Sequence, residues 1–141
     1  MYSQLFQGHA SWFYGLWRRE DCVRITNAVD SVYKDPWGGD HLALLHAALQ
    51  DGIRGTGATL FRQRIIREVR GYVPRPKATF AEMTGRNARF AAACRVAMAQ
   101  TGLAPTVRRL LHLALPFYVN KRCHRLKRVL QAWARQVRGK G

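Results

Sequence analysis

Acidic residues are scarce in this chain and stop early. Its 141 residues include 8 Asp and Glu against 24 Lys and Arg, a formal charge of +16. Residues 1–82 hold all 8 acids with 11 bases, and residues 83–141 hold 13 bases with no acid. That asymmetry excludes a uniformly mixed surface and points to an anionic partner, either nucleic acid or a membrane surface; solvated basic helix faces are the plainer alternative. Cysteine is also sparse. Cys22, Cys94 and Cys123 are odd in number and lack C-x-x-C spacing. This disfavours a disulfide framework or a zinc site and suits free thiols in a reducing compartment.

Long apolar runs are missing too. No stretch approaches the roughly 20 residues that cross a bilayer, and "MYSQLFQGHASWF" lacks the basic start and apolar centre of a signal peptide. The expectation is a cytoplasmic chain, with a peripheral position at the inner membrane face left open. Phosphate-loop patterning fails as well: Gly55-Thr56-Gly57 is not completed to G-x-G-x-x-G. Gly52-Ile53-Arg54-Gly55 has the G-x-x-G form of one RNA-binding class without its flanking pattern. His41 and His46 are five apart, so they do not share a helical face, and neither has a placed metal-ligating neighbour.

What is present is helical periodicity with a few sharp punctuation marks. "ASWFYGLW" (10–17) is aromatic-rich and reads as a strand; Arg18 to Val32 reads as a short helix and loop. Asp40 stands before Leu42, Leu45 and Leu49, one helical face that Asp51-Gly52 ends, Gly52 taking the left-handed position. Leu60-Phe61 reads as a short strand, and Ile65, Ile66 and Val69 fit a helix. Thr79-x-x-Glu82 has the form of a capping box, followed by a stripe of Phe80, Met83, Phe90, Cys94 and Ala97. Pro105 suits a first helical turn, and Pro116 is expected to interrupt or end that helix. A last helix over about 117–137 carries a seam of Val119, Cys123, Leu126, Leu130, Trp133 and Val137. Its simplest role is packing on the preceding helices. Its basic flanks also fit an anionic lipid surface over residues 117–138.

Asp40 holds the sharpest question. As a helix cap it contributes about 1 kcal/mol. The same place, at a positive helix end behind two glycines, also keeps a carboxylate ionised and reachable by a ligand hydroxyl.

The order "FYGLWRRE" (Phe13 to Glu20), "GGDHLALLHAAL" (Gly38 to Leu49) and "GIRGTGATLFRQR" (Gly52 to Arg64) resembles the C-terminal half of a family 2, GT-A-type glycosyltransferase. The resemblance covers residues 8 to about 66. It implies that Asp40 is the catalytic base for inverting transfer from a nucleotide-sugar to a saccharide or lipid-linked acceptor. It implies that Trp12, Tyr14 and Trp17 line the acceptor site; core packing is the reading of their residue types alone. It gives Arg18 or Arg19 a contact with the donor diphosphate or with a nearby acid, ordinary surface exposure being the alternative. A complete enzyme of the family would use Mg²⁺ or Mn²⁺ held by a D-x-D element. This chain contains no D-x-D, so no cofactor is assigned to it, and it is expected to have little or no transfer activity alone. The expected fold is α+β and mostly helical. Residues 1–78 would be the partial GT-A-like α/β region with one or two short strands, and 79–141 a basic amphipathic helical extension. A small, basic, helical nucleic-acid-binding protein is the alternative.

Overall fold

A computed structural model describes residues 13, 17–35, 37–50, 52–53 and 77–139. These form five helices: α1 (Arg19–Val32), α2 (Gly39–Leu49), α3 (Phe80–Ala99), α4 (Pro105–Arg122) and α5 (Leu126–Arg138). Among the described residues there is no strand, which corrects the expected α/β content of the first half. Within 10–17 only Phe13 and Trp17 are described, and they are not extended. The Trp17 indole N–H donates to the Phe13 carbonyl at 2.8 Å, and four residues of strand would separate them by about 13 Å. The strand expected at Leu60-Phe61 and the helix expected around Ile65 lie outside the described residues.

α1 covers the whole of 19–32 rather than a short helix and loop. Glu20 and Asp21 lie in its first turn, where the helix dipole favours them. Arg24 pairs with Asp21 at 2.7 Å, and Ile25 and Val29 face the other helices. α2 is apolar nearly all round and is buried from Leu42 to Leu49. Leu42, Leu45 and Leu49 face the main core, which they share with Phe90, Cys94, Ala97 and Met98 of α3 and Leu115, Tyr118 and Val119 of α4. Ala43 and Ala47 face α1 and Trp17 on the other side. Gly52 closes α2 with its N–H on the Ala47 carbonyl at 2.8 Å. It does so without the expected positive φ, which among the described glycines belongs to Gly38 alone.

α3 is the centre of the bundle and begins as its sequence indicates. The Thr79 hydroxyl accepts the Glu82 N–H at 3.2 Å and the Glu82 carboxylate accepts the Thr79 N–H at 2.7 Å. α4 and α5 pack along α3 in succession. α4 lies against its C-terminal half through Leu115, Tyr118 and Val119. α5 lies against its start, where Val129 and Ala132 meet Met83.

Two boundaries differ from expectation. Pro116 neither interrupts nor ends α4, which continues to Arg122. Pro116 and His112 are both exposed, so the carbonyl that loses its helical N–H partner lies on the solvent side of α4. The chain breaks instead at Cys123-His124, well inside the expected 117–137 helix. Asn87 of α3 makes that break: its Nδ2 donates to the His124 carbonyl at 3.0 Å, and its Oδ1 accepts the His124 N–H at 2.9 Å. Asn120 Oδ1 then accepts the Leu126 N–H at 2.6 Å and starts α5. The expected seam is divided by this break. Val119 and Cys123 are buried, whereas Leu126, Leu130, Trp133 and Val137 face outward. Among the described residues no helix is long and apolar enough to cross a membrane.

Candidate functional site at the start of α2

The corner before α2 is fixed from several directions. Asp35 accepts the Trp37 N–H at 3.0 Å and the Arg89 guanidinium at 2.8 Å, with Arg86 at 3.6 Å. Burial raises the Asp35 carboxyl, but these bonds and charges outweigh it and hold it below the usual carboxylate value. The Tyr33 hydroxyl donates to the Trp37 carbonyl at 2.6 Å. Gly38 then turns the chain with φ +92°, and a Cβ there would lie 3.2 Å from the Phe90 ring. Only glycine meets both conditions without strain.

Gly38, not Asp40, is the N-cap residue of α2, and it supplies no side-chain cap. Asp40 is the second helical residue. Its Oδ1 accepts the His41 N–H at 2.8 Å, so it satisfies one donor of the first turn. The four ion pairs among the described residues do not include it. Beside it, a Cβ on Gly39 would have no atom of the described residues within 4 Å. A half-buried carboxylate therefore stands at a positive helix end, beside a glycine that no described residue crowds.

α4 closes the corner from residues about eighty positions away. The buried Tyr118 hydroxyl donates to the His41 carbonyl at 2.9 Å, and the Arg122 guanidinium lies over the Tyr118 ring at 6.0 Å. Burial raises the Tyr118 phenol strongly, with Cys94 and Asp40 adding to the shift. Burial lowers Arg122, against the opposing influence of Tyr118 and Asp40. The Asp40 charge is thus felt by both residues. His124 is buried and stacks on Trp37 with centroids 5.2 Å apart. Its Nε2 has no partner among the described residues, and burial, then Arg86 and Arg128, lower its pKa.

The other expected site residues are placed unevenly. Trp12 and Tyr14 lie outside the described residues. Trp17 is half-buried, edge-on to Phe13, and packs on the cluster of Ile25, Ala43 and Ala47. Asp40, Ala43 and Ala47 share one face of α2 by spacing, so Trp17 belongs to the same face as Asp40, deeper along the helix. Arg18 and Arg19 are exposed at the start of α1. Of the two histidines, His41 is half-buried in the corner and His46 is buried, with burial and then Arg24 lowering its pKa. Among the described residues no three His, Cys, Asp or Glu side chains converge as a metal site. Tyr118, Arg122 and His124 carry no sequence signal for this corner; only their packing on α3 brings them there. No protein-family profile, curated protein or solved structure matches the chain.

Proposed function

We propose that the start of α2 is the acceptor side of a sugar-transfer site, with Asp40 as the base. The observation that carries this reading is the Asp40 carboxylate: half-buried, outside every described ion pair, and beside a Gly39 that no described residue crowds. The reading also rests on the resemblance of the Gly-Gly-Asp segment to family 2 glycosyltransferases. It does not extend to their α/β architecture, which the helical frame replaces over the described residues. In the step, an acceptor hydroxyl gives its proton to Asp40 while its oxygen attacks the anomeric carbon. The bond from that carbon to the nucleotide diphosphate breaks, and the configuration inverts. No described cluster of ligands fits the Mg²⁺ or Mn²⁺ of such enzymes, so no step is routed through a metal. This chain supplies the acceptor and base side, and a D-x-D-bearing donor half completes the site.

Two measurements test this. Titration of the chain with simple mono- and disaccharides, followed by amide NMR, should move Gly39, Asp40 and His41 most. Joined to a donor half, the chain should transfer sugar, and Asp40→Asn should slow transfer by about 10²-fold or more with unchanged melting. Undiminished transfer by that variant, or robust nucleotide-sugar turnover by the chain alone, overturns the reading.

A further inference from the structure

α5 is apolar on two adjoining faces. One face, Val129 and Ala132, is spent on Met83 of α3. The other is a row of Leu126, Leu130, Trp133 and Val137, which are 61, 53, 52 and 53% exposed. The four lie on one face of the helix by their spacing. Lys127, Arg128, Arg135 and Arg138 occupy other positions of α5, Arg125 precedes it, and no acidic residue lies within it.

We propose that this row seats on the surface of an anionic lipid bilayer. α5 would lie in the interfacial plane, its apolar row at the headgroup–acyl boundary and its cations among the headgroups. The chemistry favours this occupant over the others. A second copy of the chain would cover the row, but it would bring two surfaces of the same strong positive charge together. A nucleic acid would engage the cations and leave four large apolar side chains in water. A bilayer takes both. Trp133 sits among the four, and indole favours the headgroup level, where its ring is buried and its N–H stays wet. α5 is held to the bundle by its other face, where Val129 and Ala132 pack with Met83, Ala78 and Phe80, so the row can engage without unfolding. This seat is independent of the sugar-transfer reading, because none of its residues is in the α2 corner.

The test is sedimentation of the full chain with vesicles of phosphatidylcholine, alone or with a minority of phosphatidylglycerol. The chain should bind the anionic vesicles, bind less as salt rises, and bind the neutral ones at least about tenfold more weakly. Tryptophan emission should shift to the blue on binding, and Trp133→Phe should remove most of that shift. Leu130→Gln combined with Trp133→Gln should weaken binding at least about tenfold with helical circular dichroism and melting unchanged, since both side chains are exposed. Three results overturn the proposal. The first is undiminished vesicle binding by the double variant. The second is displacement from vesicles by mixed-sequence duplex DNA with no blue shift at any lipid concentration. The third is a concentration-dependent dimer of the wild type that the double variant abolishes.

Discussion

Gly38→Ala tests the corner on which the α2 site depends. Two separable costs arise there. An L residue held at φ +92° loses about 1–2 kcal/mol from its Cβ sterics. The new methyl would also lie 3.2 and 3.3 Å from two carbons of the Phe90 ring. Phe90 cannot give way easily. It is 0% exposed, with Tyr33 edge-on at 5.8 Å and Tyr118 stacked at 6.1 Å. Overpacking of this kind costs about 1–3 kcal/mol. The expected total is roughly 2–5 kcal/mol, a large part of the about 5–15 kcal/mol that holds a domain together. Urea unfolding followed by circular dichroism measures it. The two costs part in a Phe90→Leu background, where the smaller side chain clears the methyl and only the backbone cost remains. The coupling between the two substitutions should therefore be about 1 kcal/mol or more. A cost below about 0.5 kcal/mol for Gly38→Ala would refute the strained turn. Equal costs in both backgrounds would refute Phe90 as its wall.

Asn87→Ala removes both hydrogen bonds that hold the α4–α5 break and leaves the His124 N–H and carbonyl unpaired. Its expected cost is about 2–3 kcal/mol, measured by the same unfolding; a change within experimental error would show that the break is held by other contacts. His46 and His124 give the fold a pH dependence. Both are held neutral by burial and lie below their ordinary value, so the unfolded chain takes up protons first as the pH falls. Their contribution is complete above about 6.5 and is lost as the pH drops through the depressed folded values. The melting temperature should fall between pH 7.5 and 5.5, roughly neutral to mildly acidic, and His46→Leu should flatten that fall. A melting temperature that rises over the same interval would contradict the burial of these rings.

The parts legible in the sequence are those set by neighbours along the chain. The Thr79–Glu82 box is one, because both partners lie within a turn and need no tertiary contact. The stripe of Met83, Phe90, Cys94 and Ala97 is another, since its helical spacing places these residues on one face and all four are buried. The Gly-Gly-Asp segment marks the start of α2, but with Gly38 rather than Asp40 at the cap position. Asp is a strong capping residue, but Gly38 occupies the cap position because Phe90 and the left-handed turn admit nothing larger.

Other features could not be read in one dimension. α4 carries Leu111, Leu115, Tyr118 and Val119 toward the core and Leu110, Leu113 and Phe117 toward the outside, and both sets satisfy the helical period. On α5 the longer apolar seam is the one left exposed. The smaller pair of Val129 and Ala132 faces α3, where small side chains permit close approach to Met83. A continuous helix through Cys123 has good local periodicity, and only the Asn87 side chain, 37 residues away in sequence, makes breaking it favourable. The sequence by itself determined where helices can form and where several of them start, since those depend on local hydrogen bonds and spacing. The tertiary structure decided which apolar face was buried, where the last helix broke, and that Tyr118 and Arg122 would stand beside Asp40, because each of these rests on a contact between helices distant along the chain.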